Sequence, residues 1–291
     1  MVQYLDNKNS GFNQFKASAD ASKAPSKFSG IFWWIILFLA SWWLISSWLA
    51  PSKSEVRRAE SEAPVETVIK APVQQLESTD ISAKVQGLRI LDISLNAYQK
   101  EYGGEESIRL LSGANEFAEV GLLANGTAGP TTNTEWKAAR AAGSNSMSWR
   151  NSDGIEFVRV ITIDSYTISI KDTVKNNSGK DVALAPYVRI VRGQGESSAG
   201  VSTGAVALTQ GGIEKNSWRD LEKKSYAYET KSGGFVGFQD QYWETVAAAP
   251  GGDQTIRMKQ LDSGMFQSDI SSSMTTIQPG KTYSFETQVF A

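Results

Sequence analysis

The sequence predicts a mainly β protein, with a single N-terminal transmembrane helix followed by one large β-sandwich. Three observations lead there. Gly30–Leu49 is a run of twenty residues without a charge, long enough as a helix to cross a hydrocarbon layer of ~30 Å. From Asp80 onward, apolar residues recur with period two in short stretches rich in β-branched and aromatic side chains. Turn chemistry separates these stretches, and none after residue 80 requires a helix longer than about three turns, the pattern of a sandwich.

In chain order, residues 1–27 are polar, rich in Ser, Ala, Asn and Lys and without periodicity, the composition of a disordered tail. Residues 28–50 hold the span. Five of the nine tryptophans lie in it: Trp33 and Trp34 near one end and Trp48 near the other suit the headgroup level, whereas Trp42 and Trp43 sit deeper. Cleavage after Ala50 would put Trp48 at a position that requires a small residue, so the segment reads as an uncleaved signal-anchor. Lys27 beside the span favours a cytoplasmic N-terminus, with the bulk of the chain across the membrane. Residues 51–79 carry Pro51, Pro64 and Pro72, no aromatic residue and charges of both signs, as expected of an extended tether.

Residues 80–291 form the β-domain. Ile81, Ala83 and Val85 alternate, the pattern breaks at Gly87, and Leu88, Ile90, Ile93 and Leu95 resume it. Ser107–Leu111 and Phe117–Ala124 are two further short apolar runs, and Asn125–Thr134 (NGTAGPTTNT) is turn throughout. Gly154–Arg192 reads as three strands in a meander, with Asp164-Ser165 as the first turn and Lys175–Asp181 (KNNSGKD) as a hairpin turn. Gly193–Gly212 reads as a long loop, and Trp218–Thr230 as a short helix or an edge strand. Gly233–Ala249 and Gln254–Lys259 read as strands flanking a turn at Pro250–Gly252, and Lys281–Phe290 closes the chain as a strand.

Composition narrows function. Of 29 basic and 31 acidic residues, four and two lie in the first fifty, which leaves the remaining 241 residues with 25 against 29. That mild acidity argues against nucleic acid, whose binders need basic stripes. The absence of cysteine removes disulfides, thiolate nucleophiles and cysteine metal sites. The absence of histidine removes the commonest general base and the commonest zinc ligand, so neither an enzyme nor a cofactor or metal site is expected. Asp240 and Glu244 flank Gln241-Tyr242-Trp243, but one segment says nothing about a gap across a cleft, so a paired-carboxylate glycosidase is a weak reading. Asn125-Gly126-Thr127 and Asn176-Asn177-Ser178 match glycosylation sequons that turn geometry also explains. Glu222-Lys223-Lys224 reads as a solvated face. The best candidate for a binding surface is the aromatic stretch with Phe235, Phe238, Tyr242 and Trp243, because Tyr and Trp combine contact area with a polar tip.

Several phrases in order resemble the N-terminal part of the Oxa/YidC/Alb family of membrane-protein insertases. They are VQGLRILDISLNAY (Val85–Tyr98), IRLLSG (Ile108–Gly113), FAEVGLL (Phe117–Leu123), the long FVRVITID…PYVRIVR segment and GGFVGFQDQYWETVAAAP. The resemblance covers roughly residues 28–291. It implies a periplasmic β-supersandwich similar to sugar mutarotases, without their histidine-based chemistry, held at the inner membrane by the anchor. The implied partners are the membrane, nascent membrane proteins and Sec translocon components, with no small-molecule substrate. The family's five further spans and basic groove residue have no counterpart here, so the chain reads as the anchor and periplasmic module of such a machine. The alternative reading is a single-span lipid- or glycan-binding module of the lipopolysaccharide-transport type, which would need an apolar groove open to solvent.

Overall fold

The computed structural model describes residues 70–113, 115–139, 145–195, 203–231 and 233–291. The predicted tail, the span Gly30–Leu49 and most of the tether lie outside the described residues; among those described, no helix is long and apolar enough to cross a membrane.

The described residues build two antiparallel sheets face to face. The first contains β1 (Val73–Glu77), β2 (Ile81–Gln86), β3 (Arg89–Gln99), β5 (Phe117–Asn125), β10 (Val182–Arg192), β17 (Phe266–Ser272), β16 (Gln254–Gln260) and β13 (Tyr226–Thr230), in that spatial order. β4 (Ser107–Ser112) pairs with β3, and β18 (Thr275–Ile277) pairs with β10. The second sheet runs β12 (Gly212–Ser217), β11 (Gly204–Thr209), β14 (Phe235–Gln239), β15 (Glu244–Ala248), β19 (Thr282–Phe290), β9 (Thr167–Asn176), β8 (Ile155–Asp164), β7 (Ser146–Arg150) and β6 (Lys137–Ala138). The β-sandwich expected from period-two patterning is present. Alternation sets its core: Ile81, Val85, Ile90, Val120, Val188 and Ile270 point inward from one sheet, and Ile155, Phe157, Ile170, Val174, Val236 and Val289 from the other.

Four expectations need correction. Gly154–Arg192 is not one meander. β8 and β9 form a hairpin in the second sheet, but β10 lies in the first, between β5 and β17. Lys175–Asp181 is therefore a crossover between sheets. Asn176 turns it: its fully buried side-chain amide donates to the Lys180 and Ile277 carbonyls at 2.9 and 2.7 Å, and its Oδ1 accepts from the Ser178 N–H and Oγ. That burial also rules out glycan attachment at Asn176.

The tether ends earlier than residue 79, because Val73–Glu77 pairs with β2 and buries Leu76. Flanked by glutamines, this edge strand offers one buried side chain and hence little pattern. The loop expected over Gly193–Gly212 contains β11, whose inward residues are Ala205 and Ala207, too small to mark a strand. Gly233–Ala249 is a hairpin of β14 and β15, and the Pro250–Gly252 turn leads from the second sheet into β16 in the first.

Trp218–Thr230 holds both of its expected alternatives. A six-residue helix, α1 (Trp218–Lys223), is capped by the Ser217 side chain accepting from the Asp220 N–H and buries Trp218 and Leu221. It is followed by β13 at the edge of the first sheet. Glu222, Lys223 and Lys224 are exposed as expected.

Between the sheets sits a charge. Arg159 on β8 occupies an inward position in phase with Ile155, Phe157 and Ile161, and is 1% exposed. Its Nε and Nη2 donate to the two carboxylate oxygens of Asp172, its register partner on β9, both at 2.7 Å. Nη1 and Nη2 also donate across the core to the carbonyls of Gly87 and Val120, at 3.0 and 2.9 Å. The guanidinium lies 5.6 Å from the Trp136 ring centre. A buried ion breaks even only when its hydrogen bonds are filled; here the fork is filled, and it staples the β2–β3 turn and β5 to the opposite sheet. We expect Arg159→Ala or Asp172→Ala alone to cost about 3–5 kcal/mol by leaving an uncompensated buried charge. Arg159→Met with Asp172→Leu should cost less than either. Urea midpoints followed by far-UV circular dichroism measure both.

Candidate interaction surfaces

The predicted aromatic surface divides by strand parity. Phe238 shares the inward phase of Val236, is fully buried and stacks on Trp218 with ring centres 5.2 Å apart. It belongs to the core, not to a surface. Phe235 has the opposite phase and is half-buried on the outer face of the second sheet. There it lines an apolar depression of about 380 Å³ with Leu208, Val246, Ala248 and Phe290. At this spot four neighbouring strands each contribute outward apolar residues: Leu208 from β11, Phe235 from β14, Val246 and Ala248 from β15, and Phe290 from β19. Nothing in the alternation of any single strand reveals this; it follows from strand order.

Tyr242, 76% exposed, and Trp243, half-buried, sit in the β14–β15 turn. Trp243 meets Tyr98 edge-on at 4.8 Å. Tyr98 also neighbours Tyr166, and Tyr166 neighbours Asp80. Burial first, then the Asp80 charge, push the Tyr166 hydroxyl above its usual range. Two further bonds fasten this end of the sandwich: Ser78 Oγ to the Ser165 carbonyl at 2.6 Å, and Ser165 Oγ to Asp80 Oδ2 at 2.8 Å. Ser165 adopts φ 48°, unusual for a non-glycine residue. Both of its side-chain and carbonyl contacts reach the β1–β2 turn, which gives that conformation a role.

Of the two carboxylates weighed for glycoside chemistry, Asp240 accepts from Arg192 Nη2 at 2.7 Å, binding the β14–β15 turn to β10, and Glu244 is exposed. Among the described residues, no three His, Cys, Asp or Glu side chains gather as metal ligands.

A feature not anticipated from the sequence crosses the outer face of the first sheet. Arg89, Glu119, Arg189, Asp269 and Arg257 are successive register partners on β3, β5, β10, β17 and β16. Three arginines thus alternate with two acids in one cross-strand row. Glu119 is 3% exposed although it faces away from the core. Arg89 Nε and Arg189 Nη2 both donate to its Oε2, at 3.0 and 2.9 Å, and the Tyr187 hydroxyl donates to Oε1 at 2.9 Å. Both guanidiniums also lie over the Phe117 ring, at 4.1 and 5.7 Å. Tyr187 reaches Glu119 by lying across Gly121, where a β-carbon would come within 2.6 Å of the ring. Each member is out of phase with the core-facing residues of its own strand, and only the strand order brings the five together.

Burial alone would raise the Glu119 carboxyl, but Arg189 and then Arg89 outweigh it and hold the group below its ordinary 4.5. At Asp269 burial wins over the hydrogen bond from Gln267 and the charge of Arg257, and the carboxyl is pushed up. The signs therefore oppose each other. Glu119 stabilises the fold above its unfolded value, and that contribution is lost as acid takes pH through its lower folded value. Asp269 costs stability at neutral pH, and the cost disappears as pH falls through its raised folded value and the unfolded 3.8. We expect Asp269→Asn to raise the urea midpoint at pH 7, with the gain vanishing below about pH 3.8. Glu119→Gln should cost about 2 kcal/mol of stability at pH 7, read as a lower urea midpoint, because two arginines lose a charged acceptor.

Three comparisons bear on this architecture. The family described as YidC periplasmic domain matches residues 75–291. The chain is 28% identical over 236 residues to the membrane protein insertase YidC of Rickettsia typhi, covering 74% of this chain and 42% of that protein. It is likewise 28% identical over 235 residues to that of Brucella melitensis, covering 72% and 38%. The chain thus spans about two fifths of the length of these relatives. Among solved structures, a galactose mutarotase related enzyme from Lactobacillus acidophilus superposes with a TM-score of 0.53 at 9% identity, covering 76% of this chain and 97% of that one. A galactose mutarotase-like protein from Lactobacillus casei gives 0.52 at 8%, covering 75% and 99%. Likeness at that identity speaks to fold alone.

Proposed function

Because this chain belongs to the YidC periplasmic domain family, we propose that it is the anchor and periplasmic β-domain of a membrane-protein insertase, assisting the insertion, folding and assembly of integral membrane proteins. The observation that carries this reading is the family match over residues 75–291, in one chain with the charge-free run Gly30–Leu49. On this reading the N-terminus is cytoplasmic, Gly30–Leu49 spans the inner membrane, and the β-domain stands in the periplasm. Its part is contact rather than catalysis, in keeping with a chain that has no histidine or cysteine and an Asp240 committed to Arg192.

The depression around Phe235 is the surface we assign to client proteins. Its apolar floor suits the hydrophobic side chains of a membrane protein that has not yet packed. Sec translocon components are the second class of protein partner. The lipopolysaccharide-transport alternative draws support from the same depression, which is apolar and open. However, the space between the sheets is filled by side chains such as Phe157, Phe238 and Met147, which favours the insertase reading.

Two measurements test this. Alkaline phosphatase fused after Ala291 should be active in cells, and an inactive fusion would reverse the orientation. A photocrosslinking amino acid in place of Phe235 should capture nascent membrane proteins or Sec components. Capture of lipopolysaccharide alone would hand the assignment to the transport module.

A further inference from the structure

The two ends of the sandwich differ in chemistry. At one end lie the β5 terminus Asn125, the turn Asn151–Gly154 and the crossover Lys175–Asp181. They are joined by Asn151 Nδ2 to Thr127 Oγ1 at 2.7 Å and Thr127 Oγ1 to Asp153 at 2.8 Å, and these turns carry only small, amide and charged residues. At the other end, four turns converge: β1–β2 at Ser78–Asp80, β3–β4 around Tyr102, β8–β9 at Ser165-Tyr166, and β14–β15 at Asp240–Trp243. Tyr98 touches Trp243 and Tyr166, and Tyr166 touches Asp80. Tyr98, Tyr102 and Tyr242 are exposed there, Tyr102 wholly so, whereas the large apolar side chains exposed toward the opposite end are Ile213, Met274 and a single tyrosine, Tyr283.

Three exposed tyrosines gathered round a half-buried tryptophan have a physical preference. Amphipathic rings seat at the headgroup level of a bilayer, with the polar tip in water and the ring among upper acyl segments. The same chain carries the twenty-residue charge-free run, which ends at Leu49, and β1 begins at Val73. The intervening residues can extend up to about 80 Å, long enough for this end to touch a bilayer that holds the run. Glu101, Glu105 and Glu244 are exposed beside the tyrosines and Trp243, and such a rim is repelled by anionic lipid.

We propose that the Tyr98–Tyr102–Tyr242–Trp243 end of the sandwich is a membrane-seating surface that docks on zwitterionic phospholipid headgroups. It orients the domain so that the Phe235 face of the second sheet stands beside the bilayer rather than under it. This rests on the reading of Gly30–Leu49 as a membrane anchor.

The chain has no cysteine, so single-cysteine labelling is clean. Tyr242→Cys and, as the distant control, Lys180→Cys would each carry an environment-sensitive fluorophore in the full chain reconstituted into phosphatidylcholine nanodiscs. Ten residues of β9 separate the two ends, about 30 Å at strand rise. A headgroup-bound nitroxide lipid should quench the label at 242 by about two-fold or more and leave the label at 180 unchanged, with aqueous iodide giving the reverse order. Trp243→Ser in the labelled background should weaken the lipid quench, as should replacing half of the phosphatidylcholine by phosphatidylglycerol. Equal iodide quenching at both labels, in a chain that still co-purifies with the disc, would overturn the surface while leaving the anchor intact. A chain that fails to enter the disc would instead overturn the anchor. Quenching at 242 that depends on two labelled copies per disc would mark a contact between copies and also overturn it.

Discussion

A two-layer sandwich of this size has to fix how its sheets lie on each other, and apolar packing alone is tolerant of sliding. The Arg159–Asp172 pair removes that tolerance. Greasy side chains can exchange neighbours at small cost, whereas a desolvated guanidinium with four directed bonds cannot. Because two of those bonds end on the backbone carbonyls of Gly87 and Val120, the side chain in one sheet measures the position of the main chain in the other. Everything placed by both sheets inherits that register: the row on the outer face of the first, the depression on the second, and the aromatic end where their turns meet.

Outward faces in this fold are not simply wet. Glu119 lies on the side of β5 away from the core, yet is nearly inaccessible, closed over by Arg89, Arg189, Tyr187 and Phe117. A face that buries its own charges against one another gains rigidity and loses general stickiness, since few groups remain to bind at random. The apolar depression on the other sheet has the opposite character. The two outer faces therefore differ locally: one carries a row of paired charges, the other an apolar depression.

The β class, the large domain and most strands were legible because period-two patterning is a local signal that sheet burial imposes directly. What stayed hidden depends on non-local pairing. Nothing within KNNSGKD distinguishes a hairpin from a crossover; the difference is that Asn176 finds the Ile277 carbonyl, about a hundred residues on. Ala205 and Ala207 conceal β11 because small residues carry little hydrophobic signal. Aromatic composition marks the stretch around Phe238 as a surface, whereas its phase with Val236 puts that ring in the core. Arg159 could have been found: it falls in step with Ile155, Phe157 and Ile161, and Asp172 falls in step with Ile168, Ile170 and Val174, so opposite charges occupy core positions on adjacent strands. The charge row could not, since its five members come from five strands whose order no local pattern states.

The position of β19 bears on how such a domain is born. Although last in sequence, it lies inside the second sheet, hydrogen-bonded to β15 on one side and to β9 on the other. Until those nine residues emerge, β9 and β15 each hold an unpaired edge, and the sheet exists as two halves with nothing between them. Long-range closure of this kind is slow and leaves strand edges open to other chains. Vectorial synthesis thus delivers this central strand after its two neighbours, so the second sheet closes only once β19 has been made.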